Sequence, residues 1–397
     1  MKRLIALFLV LTLCLCGCGK PAPTEPVTLP SVLTEAPTEA PTEAPTEAPT
    51  EVPTEVPTEA PTEAPTEAPT EAPTETPTPP AGKTQITMTF VGDCTFGTNQ
   101  KHSYKNSFNH VYDKKGEDYF FSGVRKIFEK DDITVINLEG SLTTSNDIQD
   151  KTWNHKGDPK YVGIMTGSSV EVATMGNNHR LDYGQSGCDE TIQVLDKAGI
   201  EWCFDDNYLI YEVKGIKVGF VSVNEVYDGW TVDGWLKNGH KYLREQGCAI
   251  VIACIHWGGQ KTPVLEPRQY DLGRKCIDWG YDLVVGNHPH VLQAMELYKG
   301  RLICYSLGNF CYGGNKNPED KDSGIFQQTF TLEDGKLVRD VNAQFIPCYL
   351  SSVQERNDYQ PTLVHGAEFK RIIDKMNEYN AEFGFVLDDE GRPVVEE

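Results

Sequence analysis

From Ala81 onward the sequence predicts a mixed α/β fold, with sheets covered by helices. Three observations carry that reading. Short apolar runs rich in Val and Ile alternate with amphipathic segments of helical period. Two pairs of such runs meet at Lys-Gly steps, and no internal repeat occurs in this region.

The elements follow in chain order. "QITMTFVGD" (85–93) alternates Ile86, Met88 and Phe90 with Thr87 and Thr89, which is the period of a half-buried strand. "EDYFFSGVRKIFEKDD" (117–132) is amphipathic and reads as helix. "ITVINLEG" (133–140) and "VEVATMGNNH" (170–179) read as strands. "GQSGCDETIQVLDKAGI" (184–200) places Cys188, Ile192 and Leu195 on one helical face, and Gly199 is the expected stop. "YLIYEVKGIKVGFVSVNE" (208–225) reads as a hairpin turning at Lys214-Gly215. "WLKNGHKYLREQG" and "RQYDLGRKCIDWG" are helical, and each precedes a strand, "CAIVIACIHWG" and "YDLVVGNH". A second hairpin turns at Lys299-Gly300. Further strands lie within residues 324–347, and a helix is expected around "HGAEFKRIIDKMNEYNAEFG".

The chain before Ala81 has a different character. Residues 1–17 give a basic start (Lys2, Arg3) and an apolar run, Leu4 to Leu15, too short to span a bilayer comfortably; this is the pattern of an export signal. "LCGC" resembles a bacterial lipobox, which implies that Cys18 becomes a lipidated first residue and anchors the protein to a membrane. Residues 18–80 are dominated by "PTEA" repeats. Proline at every fourth position forbids helix and almost nothing there can be buried, so an extended, solvated stalk is expected. The globular domain is therefore 81–397. It is expected outside the cytoplasm, held off the membrane and projecting into or through the cell wall.

The net charge is −22. Twelve Glu of the stalk and three basic residues of the first twenty account for part of it, leaving −13 for residues 81–397. An acidic domain argues against nucleic acid as a partner, because phosphate backbones need a basic footprint. Nine cysteines fall in the domain with no C-x-x-C pair, several inside apolar runs, so they read as buried free thiols.

The chemistry-bearing residues gather at the carboxyl ends of the strands. Asp93 follows "TMTFVG", Glu139 follows "ITVINL", Asn178 and His179 follow "VATMGN", His256 follows "AIVIACI", and His288 and His290 follow "LVVGN". In open α/β sheets that edge is where sites are built. Carboxylate, amide and imidazole ligands together suit Mn, Fe or Zn. Singly, each has a plainer reading as a turn or a core histidine. The His288-Pro289-His290 step is the hardest to dismiss, since its proline fixes the backbone.

"FVGDCTFG", "INLEGSLT", "GNNHRLDYG", "IHWG", "GNHPHVLQ" and "YSLGNF", in this order, resemble the signature blocks of the CapA-type poly-γ-glutamate capsule synthesis proteins. That family is itself similar to calcineurin-like metallophosphoesterases. The resemblance runs from about Ile86 to Phe310. It implies a four-layer α/β/β/α sandwich with two mixed sheets and a pair of divalent metal ions. By the same resemblance Asp93 and His290 would bind one metal, Asn178, His256 and His288 the other, and Glu139 would bridge them. His179 would be catalytic and protonate or stabilise the leaving oxygen. Asn177, Ser306 and Asn309 would be rim residues, behind the ligands or touching substrate. Thr95 stands where phosphoesterases commonly carry a histidine, and Asn287 replaces a histidine of the family's "GHHPH". Two functions follow from the resemblance. One is a metal-dependent hydrolase of a phosphoester or other envelope-polymer bond. The other is a non-catalytic component that holds or exports an anionic capsule polymer alongside other capsule synthesis proteins.

Overall fold

The structure, a computed structural model, describes residues 82–395. The signal segment, Cys18 and the Pro/Thr/Glu tract lie outside the described residues. Strands β1 (Lys83–Thr95), β2 (Ile133–Leu138), β3 (Val172–Thr174) and β4 (Glu201–Cys203) run parallel and form half of one sheet. The chain then builds a second sheet from β5 (Leu209–Val213), β6 (Ile216–Asn224), β7 (Ile250–His256), β8 (Leu283–Asn287), β9 (Met295–Tyr298) and β10 (Arg301–Cys304). It returns to the first sheet with β11 (Asn309–Tyr312), β12 (Asp322–Glu333), β13 (Ala343–Tyr349) and β14 (Thr362–Leu363). Both sheets are mixed. In the second, β6, β7, β8 and β10 are parallel while β5 and β9 pair antiparallel at its two edges.

The two hairpins turn where the sequence predicts. Lys214 and Gly215 have φ of 52° and 73°, and Lys299 and Gly300 have 50° and 75°, the left-handed pair that matches strand twist. Among the described residues, five helices of eight or more residues accompany the sheets: α1 (Phe108–Lys115), α2 (Gly184–Ala198), α3 (Thr231–Glu245), α4 (Pro267–Trp279) and α5 (Ala367–Asn380). Gly199 ends α2 in the left-handed conformation, as expected.

Side-chain alternation sorts the buried residues into three clusters. Ile86, Met88 and Phe90 of β1 meet Val218, Phe220, Ile252 and Val285 of the second sheet, so the two sheets share one core. The opposite face of the first sheet, with Ile136, Leu138 and Ala173, packs on Cys188 and Leu195 of α2. The opposite face of the second, with Val221, Ala253 and Val284, packs on Leu236 and Leu243 of α3 and Leu272 and Cys276 of α4. Full burial of one such Leu or Phe is worth roughly 1.5–3 kcal/mol. All nine cysteines of the domain are buried and free.

One expected element differs. Residues 117–132 do not form a continuous helix; a 3-10 turn (Glu117–Tyr119) and a four-residue helix (Arg125–Phe128) are separated by turns. Phe120, Phe121, Val124 and Phe128 are all buried, more apolar surface than one helical face presents. The helix of that region is α1, upstream, capped by the Ser107 hydroxyl accepting from the His110 amide.

Candidate metal centre

The carboxyl ends of the central strands of both sheets meet at one edge. Asp93 lies within β1, at an irregularity: Phe90 pairs with Val135 but Asp93 pairs with Asn137, so β1 carries one extra residue there. Such a bulge re-aims the side chains that follow it. A Cβ on Gly92 would stand 2.0 Å from the Gly308 carbonyl oxygen, which accepts the Asp93 amide at 2.9 Å. Only glycine permits that approach. Glu139 follows β2 directly, and its amide donates to the Cys94 carbonyl at 2.8 Å. His256 ends β7, and Asn178 and His179 lie in the turn after β3.

Beyond β8, His288 and His290 have φ of 99° and 60°. Two non-glycine residues in the left-handed region, on either side of a proline, cost on the order of 1–3 kcal/mol each and persist where the surroundings over-determine them. The bracing is visible. The Asn309 amide donates to the His290 carbonyl at 3.0 Å, and the Ser306 hydroxyl donates to the Val291 carbonyl at 2.8 Å.

The side chains converge in two groups, Asp93, Glu139 and His290, and Glu139, His256 and His288. Within each group the candidate ligand atoms lie within 4.8 Å of one another, and Glu139 belongs to both. Asp93 Oδ2 is 2.9 Å from His290 Nδ1, and Glu139 Oε1 is 3.7 Å from His290 Nε2 and 3.8 Å from His256 Nε2. His256 Nε2 also stands 3.0 Å from both Asn178 Oδ1 and His288 Nδ1. His179 Nε2 is 3.7 Å from Glu139 Oε1. Its Nδ1 is 2.7 Å from Asp182 Oδ2, while the Lys151 ammonium donates to Asp182 Oδ1 at 2.6 Å.

Burial dominates the electrostatics. It pushes the Glu139 carboxyl up from its ordinary value, with the Asp93 charge adding to the rise. It pushes His179 and His256 well below theirs and His288 down to about 4. Burial would lower His290 too, but the neighbouring Glu139 and Asp93 outweigh it and raise this imidazole.

These residues fit a pair of divalent cations. Both Glu139 oxygens are buried with no hydrogen-bond partner, and Asp93 Oδ2 has only His290 Nδ1 beside it, at 2.9 Å. Unpartnered buried carboxylate oxygens are costly, and a cation between them removes the cost. The mixture of carboxylate, imidazole and amide oxygen suits Mn, Fe or Zn.

All seven residues expected at the centre are thus in one place, and the three expected rim residues separate. Asn177 donates to Asn137 Oδ1 and the Leu138 carbonyl and accepts the His179 amide, which fixes the turn carrying His179. Ser306 and Asn309 brace the His-Pro-His loop, and Asn309 also lines the adjoining cleft. Thr95 is buried, its hydroxyl without a partner. Sequence reasoning missed Asn137, whose amide donates to Asp93 Oδ1 at 2.9 Å, and Asp182, Lys151 and His155. The His155 ring lies 4.1 Å from that of His179. Asp182, three residues after His179, carried a signal in its spacing; Lys151, in a loop, and His155, at the start of a three-residue strand (His155–Gly157), carried none.

The fold and the site together define a mixed α/β protein with two candidate metal-binding groups sharing one glutamate at a sheet edge. Residues 87–313, more than half of the chain, match the model of the bacterial capsule synthesis protein PGA_cap family, and the chain belongs to that family. It is 27% identical to the capsule biosynthesis protein CapA of Bacillus anthracis, over 65% of this chain and 66% of that one. It is 29% identical to the PGA biosynthesis protein CapA of Bacillus subtilis (strain 168), over 57% of this chain and 63% of that one. A probable polyglutamine synthesis accessory protein of Mycobacterium tuberculosis is 24% identical over 56% of this chain and 67% of its own. The chain thus spans just under two thirds of the length of the two Bacillus relatives.

Proposed function

We propose that this is a cell-surface protein of capsule polymer synthesis whose domain, residues 81–397, is a metallophosphoesterase-like hydrolase. It acts on a phosphoester or another bond of an anionic envelope polymer. The observation that carries this reading is the pair of ligand groups sharing Glu139, with His179 held over them by Asp182. The shared core between the sheets and the helices on both outer faces support the four-layer metallophosphoesterase sandwich.

Asp93, Glu139 and His290 would hold one cation, and Glu139, Asn178, His256 and His288 the other. Two cations there would supply Lewis acidity to a phosphorus centre and lower the pKa of a water between them. The chain's own residues do the rest. Asp182 accepts the Nδ1 proton of His179, so Nε2 is the atom turned toward Glu139. In the neutral ring Nε2 presents a lone pair. Protonating a leaving oxygen requires the doubly protonated ring, and the Asp182 carboxylate is the group that stabilises it. Burial of His256 and His288 keeps both imidazoles neutral, the form that binds metal.

A second reading is a non-catalytic component that holds or exports the polymer, which the word "accessory" in the Mycobacterium relative's name favours. Metal content by elemental analysis, with phosphomonoester and phosphodiester assays, separates the two. We expect near two metals per chain and hydrolysis lost in His179→Ala. Bound metal without hydrolysis of either ester would favour the second reading, and no metal would end the first.

Anchoring through a lipid on Cys18, with 18–80 as the stalk, completes the proposal. No helix among the described residues is long and apolar enough to cross a membrane. Cys18→Ser is expected to release the protein from membranes; unchanged membrane association refutes the anchor.

A further inference from the structure

Beside His179 and His290 the rim opens into a cleft of about 480 Å3, large enough for more than the reacting group of a substrate. Its wall carries Trp153, 50% exposed although it is a large aromatic. The amides Gln260, Asn309, Asn315 and Asn317 line the same cleft; Asn315 Oδ1 accepts the Asn317 backbone amide and Asn317 Oδ1 the Lys321 ammonium, while Asn309 Oδ1 is buried with no partner. The charges are sparse. Lys261 is the cleft's one Lys or Arg, and its ammonium makes no ion pair among the described residues. Against it stand Glu319 and Asp320, the latter paired with Lys375 at 2.8 Å.

A γ-linked glutamate chain brings a carboxylate with every residue. The metal centre would take one anionic group, but the further carboxylates of such a chain, lying out along the cleft, would face Lys261 with Glu319 beside it and Asp320 already paired with Lys375, little charge to match a carboxylate on every residue. A pyranose ring is different: it lays an apolar C–H face on an indole and gives its hydroxyls to side-chain amides. We propose that the cleft takes the sugar of a glycosyl phosphate ester, with Trp153 as the platform and the phosphate directed to the metal centre. This inference rests on the phosphoester reading above for the phosphate, but not for the sugar.

The test is calorimetric titration of the metal-loaded full chain in a His179→Ala background, which prevents turnover. The probes are glucose 1-phosphate, methyl phosphate, adenosine monophosphate and γ-linked tetraglutamate. Glucose 1-phosphate is expected to bind at least tenfold tighter than methyl phosphate. Trp153→Ala should remove most of that preference and leave the methyl phosphate affinity unchanged. Tightest binding of tetraglutamate or adenosine monophosphate overturns the proposal, as does a preference that survives Trp153→Ala. If the chain holds no metal and no phosphate compound binds, the phosphoester reading has failed by itself. Methyl glucopyranoside titrated into the same chain then decides: binding lost in Trp153→Ala sustains the sugar site, and no binding ends it.

Discussion

If the two ligand groups hold cations as proposed, removing them should lower the thermal stability of this domain by an amount that can be set in advance. The perturbation is chelation of the purified protein, compared with His288→Ala, which removes one ligand of one group only. A ligand present at a hundred times its dissociation constant stabilises the folded state by about 2.7 kcal/mol. With about 314 described residues and about 2.1 cal/mol/K of unfolding entropy per residue, the domain's unfolding entropy is roughly 0.66 kcal/mol/K. Each site is therefore worth about 4 °C in Tm, and two sites about 8 °C. Differential scanning calorimetry with stepwise metal addition reads this directly. Because Asp93, Glu139 and His290 remain as a group, His288→Ala should keep one metal and about half of the shift. The reasoning is refuted if chelation leaves Tm unchanged, or if His288→Ala retains two metals and the full shift.

Other consequences are equally open to measurement. Gly92→Ala drives a Cβ onto the Gly308 carbonyl at 2.0 Å, with backbone on both sides; overpacking of this kind costs about 1–3 kcal/mol or more. A melting temperature equal to wild type would show that β1 and the loop at Gly308 separate freely. Burial raises Glu171 to about 7, and the nearby Asp131 is raised to about 6. A carboxyl raised in the folded state adds stability below its unfolded pKa and loses it as pH rises through the folded value. Stability should thus fall between about pH 4.5 and 7 on this account. Glu171→Gln, which still accepts the Thr134 amide proton, should recover on the order of 1 kcal/mol at pH 8, allowing for partial exposure, and nothing at pH 4. Equal effects at both pH values would contradict the assignment. Finally, the nine buried thiols, with Cys188 and Cys248 raised to about 11 by burial, should not react with a thiol reagent until the domain unfolds. A fast-reacting domain thiol in the native protein would contradict their burial.

The strand ends and the side chains they deliver were legible in the sequence because both depend on local pattern. Alternation of Ile86, Met88 and Phe90 with threonines defines a strand by itself, and an Asp, Glu or His after an apolar run is visible without knowing what lies beside it. The hairpins at Lys214-Gly215 and Lys299-Gly300 were legible for the same reason, since their backbone requirement is met within the turn. The segment 117–132 was misread because its helical period is real, but its aromatic residues are needed on more than one side.

Tertiary structure decided what depends on partners distant in the chain. The bulge that re-aims Asp93 is set by pairing of β1 with β2 and β11, and no local signal marks it. The left-handed backbone at His288 and His290 is held by Ser306 and Asn309, some fifteen to twenty residues away. The roles of Lys151, His155 and Asp182 arise only when the segment 151–155 folds against the turn after β3. The sequence by itself determined which side chains reach the sheet edge, because strand period is a local property. Only the packing of two sheets on one core decided which of them touch, because that distance is set by residues far apart in the chain.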